Sequence, residues 1–211
     1  MSFKTTASRL AVTAIALLFS ACASGGASAP GAGTTGGEAM EAQELVPPGF
    51  GTLHQDDFTI PLRSGPLLIK VTPLAESIIR LAAPDTYDRL TGLVRGRIDA
   101  LRRESMSDDP SLFFVSFFSY DPDVTYQPED LQLDNRGLRY RPRGIEPVTP
   151  GWGAQRLGQQ ETQMAIYAFD RGIDLETDLA VEYGEVRNAG WEHILPVLQA
   201  ERAKVRARAG T

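Results

Sequence analysis

Cysteine occurs once in the 211 residues and histidine twice. A single Cys excludes an intrachain disulfide and a thiolate zinc site built within one chain. With only His54 and His193, a His-rich metal centre is excluded as well. Long apolar runs are missing too. The longest, residues 10–19 (LAVTAIALLF), is about half the ~20 residues that span a bilayer. No Lys or Arg lies between Ser105 and Asn135. The sequence contains no G-x-S-x-G nucleophile elbow, and Gly151-Trp152-Gly153 lacks the Lys-Ser/Thr of a phosphate loop and the third glycine of a dinucleotide fingerprint. What remains is an ordinary globular composition, 42% hydrophobic and 23% charged, with mean hydropathy −0.18 and net charge −6.

The strongest positive signal is at the start. Lys4 and Arg9 precede the apolar run, and no acid appears before Glu38. A basic front followed by an apolar stretch of this length reads as a secretory leader. The leader ends in Ser20-Ala21-Cys22-Ala23, small residues flanking the lone cysteine. This segment resembles the signal of bacterial lipoproteins, although Phe19 stands where Leu, Val or Ile is usual. The resemblance implies lipidation of Cys22, removal of residues 1–21 and, because Ala23 is not Asp, sorting to the outer membrane. The alternative is an ordinary leader cut near Ala21 or Ala23, with Cys22 incidental. Removal of the leader takes away two cations and no acid, so the mature chain is more acidic still. That charge disfavours nucleic acid as a partner and any general attraction to an anionic membrane surface.

Residues 22–46 form the expected tether. ASGGASAPGAGTTGG is uncharged and cannot bury apolar surface. As a flexible coil, the stretch from Cys22 to Pro47 has an expected reach of roughly 25–30 Å. Residues 47–211 make one domain, with packed structure expected from about Leu53.

Within that domain the patterning is mostly of strands. Phe58 to Leu62 alternates, Arg63-Ser64-Gly65-Pro66 reads as a turn, and LLIKV follows. SLFFVSFFSY (111–120) is apolar on both faces. It predicts a central strand between an opposing sheet and a helix, and QMAIYAF (163–169) reads the same way. Asp134-Asn135-Arg136-Gly137 predicts a four-residue hairpin loop, and Leu179 to Tyr183 a half-buried strand. Helical periodicity marks 84–104, weakened by Gly92 and Gly96, which either admit a close sheet or simply leave the helix marginal. A second helix is expected over 192–208, starting no earlier than about Glu192 because Pro196 suits only a first turn. These elements predict a mainly β, α+β fold: an antiparallel, immunoglobulin-like β-sandwich with one inserted and one C-terminal helix. The stretch from Tyr126-Gln127-Pro128-Glu129-Asp130-Leu131 through Arg139-Tyr140-Arg141-Pro142, returning in Ile166 to Asp170, is similar to sandwich domains of bacterial envelope lipoproteins. That likeness implies a fold and no reaction.

Charge supplies the candidate sites. Seven acids occupy the Lys- and Arg-free stretch, and Asp121 with Asp123 is the best pair for Ca²⁺, a metal that needs 6–8 oxygen ligands. Asp170, Asp174, Glu176 and Asp178 form a second acidic stretch without EF-hand spacing. The bland reading of both is turn formation and capping. Arg139, Arg141 and Arg143 would share one strand face as a ladder gripping an anion, or would guard an edge strand against aggregation. Arg202, Lys204, Arg206 and Arg208 suit the negative end of a helix, or dock on another envelope protein. Trp152 is either a loop contact residue or a plug for the core. His54 and His193 read as surface or capping residues. The function expected is a non-enzymatic, lipid-anchored envelope protein that binds a protein partner or supports an assembly. No cofactor is expected. The alternatives are a ligand- or calcium-binding module and, last, a hydrolase using paired carboxylates.

Overall fold

The structure, a computed structural model, describes residues 45–210, so the leader, Cys22 and residues 22–44 of the tether lie outside the described residues. Eleven strands and four α-helices follow one another among them. In chain order these are β1 (Ile60–Ser64), β2 (Leu67–Pro73), α1 (Glu76–Ile79), α2 (Pro84–Arg95), α3 (Ile98–Ser105), β3 (Ser111–Ser119), β4 (Val124–Thr125), β5 (Leu131–Asn135), β6 (Leu138–Tyr140), β7 (Gly144–Pro147), β8 (Arg156–Leu157), β9 (Thr162–Phe169), β10 (Leu179–Tyr183), β11 (Val186–Asn188) and α4 (Trp191–Ala209). Two antiparallel sheets hold most of the strands, in the orders β1-β2-β3-β9-β7 and β11-β10-β5-β6, and β4 pairs with β8 in a two-stranded ribbon. The fold is α+β, two antiparallel sheets with helices added.

The turns follow from local chemistry. β1 and β2 join through Gly65-Pro66, with Ser64 opposite Leu67 and Gly65 at φ +56°, the position that a type II′ hairpin reserves for glycine. The β5–β6 loop is tighter than its sequence suggests. Asn135 pairs with Leu138, so only Arg136 and Gly137 turn, both at positive φ (56° and 74°). Asn135 is therefore a strand residue, and its side chain is used elsewhere.

β3 lies at the centre of the larger sheet, as expected of a strand apolar on both faces. Phe113, Val115 and Phe117 are buried on the inner face. There Phe117 stacks on Tyr126 at 4.5 Å, and Phe113 meets Phe169 edge-on at 5.5 Å. On the outer face the expected helical cover is only partial. Phe114 is buried, whereas Tyr120 further along is 40% exposed, edge-on to Phe118, with the Arg63 guanidinium 4.5 Å from its ring centre.

The single helix expected over 84–104 is two. α2 ends at Gly96, and Arg97 leaves helical geometry at φ −130° before α3 begins. A Cβ built on Gly92 or Gly96 would meet nothing within 4 Å, so these glycines serve no close approach. The break lets α3 lie along the edge strand β7. There Glu104 accepts from the Ile145 N–H at 3.2 Å, and Arg97 donates to the Pro147 carbonyl at 3.1 Å. An otherwise open sheet edge is thus capped by side chains. At the opposite edge, Asn188 of β11 donates to the Pro61 carbonyl of β1, linking the two sheets.

α4 starts at Trp191, a residue earlier than expected, so Pro196 sits in its second turn. The N–H that Pro196 lacks would have paired with the carbonyl of Glu192, an exposed residue of the first turn. The start is fixed instead by Trp191, fully buried, whose indole donates to the Leu175 carbonyl at 3.1 Å.

Candidate functional site

The structure does not assemble the arginine ladder. β6 ends at Tyr140, so Arg141 and Arg143 lie beyond the strand that carries Arg139. Arg139 joins a cross-strand charge network on the smaller sheet, reaching Glu182 at 3.1 Å, while Arg187 contacts Glu182 at 3.2 Å and Asp134 at 3.8 Å. Arg143 sits at the crossing into β7, where its guanidinium grips Asp170 through Nε and Nη2. Arg141 is exposed and, among the described residues, has no ion-pair partner.

The acidic loops are likewise occupied by their neighbours. Asp123, at φ 67°, pairs with Arg156, which lowers its carboxyl from the ordinary value. The Asp121 backbone, not its carboxylate, closes a turn with the Ser119 hydroxyl. In the second stretch Asp170 holds Arg143, Asp174 Oδ1 accepts from the Glu176 N–H at 2.9 Å, and Glu176 binds Arg202 at 2.7 and 3.1 Å. Among the described residues, no three His, Cys, Asp or Glu converge as a metal would require.

Trp152 is buried at 8% exposure, its indole against Phe117, Tyr126 and Tyr167 at 5.6–6.3 Å. It plugs the core and offers no loop contact. Around it three tyrosines staple the segment 126–130. The Tyr126 hydroxyl donates to Gln163 at 2.5 Å, that of Tyr167 to the Pro128 carbonyl at 3.0 Å, and that of Tyr183 accepts from Gln127 N–H at 2.9 Å. Burial raises all three phenol pKa values above the ordinary range, so none ionises near neutral pH. His54 caps a short 3₁₀ turn with Asp57, and His193 is an exposed helix residue beside Glu192 at 3.5 Å.

The site that sequence reasoning missed is where the chain enters the domain. Residues 45–53 run as a strap across α4 and the α1–α2 corner. Val46 is buried, so packing begins before Leu53, and its carbonyl accepts from Arg80 at 3.4 Å. Leu53 exchanges backbone hydrogen bonds with Leu81 and Ala83. Gly51 passes so close to the Leu81 carbonyl that any Cβ there would overlap it. The central fastener is Glu201, 2% exposed on α4. It accepts from the Thr52 N–H at 3.1 Å, the Thr52 hydroxyl at 2.8 Å and Arg208 at 2.9 Å. Burial would push its carboxyl up, but Arg208 and Thr52 outweigh it and hold it below the ordinary value of 4.5. Arg208 also donates to the Phe50 carbonyl at 2.6 Å. Beside this latch lies a groove of about 400 Å³ lined by Leu45, Val46, Pro47, Arg206, Ala209 and Gly210. Neither spacing nor periodicity marks it, because its two walls are separated by nearly the whole domain.

No family model, no curated protein and no solved structure matches this chain. Among the described residues, no helix is long and apolar enough to cross a membrane.

Proposed function

We propose that this is a lipid-anchored protein of the cell envelope, held at the outer membrane through Cys22, whose immunoglobulin-like sandwich acts without catalysis as a protein-binding or assembly module. The observation that carries the reading is the leader itself: two cations, a ten-residue apolar run, then small residues around the only cysteine. Acyl chains contribute roughly 0.8 kcal/mol per buried CH₂, so several chains on one residue hold a domain durably. The firm seating of residues 45–53 supports the same reading, since a tethered domain needs a fixed point of attachment.

The ligand- or calcium-binding alternative has less support, because Arg139, Arg143 and Asp123 are already engaged by Glu182, Asp170 and Arg156. Membrane fractionation of the native protein and a Cys22→Ser variant tests the anchor, and in-cell crosslinking with mass spectrometry tests the partner. A specific envelope protein captured only from the anchored form supports the reading. A variant that fractionates exactly like the native chain overturns it.

A further inference from the structure

The last turns of α4 carry four cations, and the structure divides them. Arg202 and Arg208 are drawn inward to Glu176 and Glu201. Lys204 is 65% exposed in its side chain and only 3.8 Å from the buried Glu201 carboxylate, and Arg206 is exposed with no ion pair among the described residues. Beside them the strap presents two large apolar side chains to solvent, Leu45 at 46% and Phe50 at 43% exposure. Leu45 is also the described residue nearest in sequence to Cys22.

Apolar side chains at an interface with basic ones beside them are what a phospholipid surface takes: Phe and Leu enter the headgroup boundary while Lys and Arg reach lipid phosphate. We propose that this corner of the domain rests on the bilayer, with Leu45 and Phe50 at the interface and Lys204 and Arg206 on phosphates. The proposal rests on the lipid-anchor reading and adds to it an orientation. The remainder of the domain is acidic and is repelled by anionic lipid, so contact is confined to the corner where the anchor pulls.

Because Cys22 is the only cysteine and lipidation consumes its thiol, an introduced cysteine is the one reactive thiol of the mature chain. The lipidated Phe50→Cys and Leu138→Cys proteins, each labelled with an environment-sensitive fluorophore, are reconstituted into phosphatidylethanolamine–phosphatidylglycerol vesicles containing spin-labelled lipid. The protein should float with the vesicles, with the label at 50 quenched severalfold more than the label at 138. Adding Arg206→Glu, at a cation outside the Glu201 latch, should shift the contact equilibrium by about tenfold. Flotation with equal quenching at the two positions, unmoved by the charge reversal, overturns the orientation while the anchor stands. Failure to float overturns both.

Discussion

Two distant segments of this domain are each held by one buried polar side chain, and the two fasteners differ in kind. Asn135, 1% exposed, is neutral. Its amide donates to the Asp174 and Asp178 carbonyls at 2.9 and 2.6 Å and accepts from the Asp174 N–H at 2.8 Å, which fixes the loop between β9 and β10. Glu201 is charged and fixes the entering strap through Thr52 and Arg208. The amide needs only matched backbone groups and works deep in the core. The carboxylate needs compensating cations, so it sits where Arg208 and Lys204 can reach it from solvent. One fastener is insensitive to pH and salt, and the other is tied to both.

The comparison breaks most sharply at Asn135. Asn135→Ala removes the amide bonds to the Asp178 carbonyl and the Asp174 N–H and leaves the Asp174 carbonyl to the Thr177 hydroxyl alone, and should cost about 3 kcal/mol, seen as a loss of several degrees in Tm by calorimetry. On the strap side, Gly51→Ala forces the strap off the Leu81 carbonyl and should cost about 2 kcal/mol. Limited proteolysis should then cut first within residues 45–53. Glu201→Gln preserves shape but removes the charge that Arg208 and Thr52 stabilise, at a cost of about 1–2 kcal/mol at pH 7.

Acid sharpens the difference between the fasteners. The Glu201 carboxyl is held below its ordinary value of 4.5 in the folded protein, so its stabilisation is complete above that value and is lost as pH falls through the depressed folded value. The Tm gap between the native chain and Glu201→Gln should therefore begin to narrow as pH falls below 4.5 and close beneath the depressed folded value, while the gap to Asn135→Ala stays constant. Equal narrowing of both gaps would show that the latch is not the titrating element. Smallest of all, Arg139→Ala removes one member of an exposed network and should change stability by under about 1 kcal/mol, less in high salt.

Much of the sheet was legible in the sequence. The two-sided apolar pattern of 111–120 and 163–169 marked β3 and β9 as central strands, though not as partners, and the helical periodicity from residue 84 marked α2. The two- and three-residue strands β4, β8, β6 and β11 were not legible, since alternation cannot show in so few positions. The candidate sites fared differently. Arg139, Arg141 and Arg143 alternate in sequence, but a strand must continue for alternation to define a face, and β6 stops at Tyr140. The role of Trp152 depended on whether its loop folds over the core, which composition alone leaves undecided.

The sequence by itself determined that the domain is rich in β-strands and holds no intrachain disulfide, and it raised the expectation of a leader ending at Cys22. Those properties are local, written in runs, spacings and counts. Only the tertiary structure decided which charges neutralise one another and which stay exposed at the surface. Glu201 reads as one more helix acid until the strap, 149 residues away, lays Thr52 against it. Arg206 reads like Arg202 and Arg208 until those two find their carboxylates. The physical reason is that electrostatic pairing and burial depend on distances in space, and the chain sets those only when segments far apart in sequence are brought together.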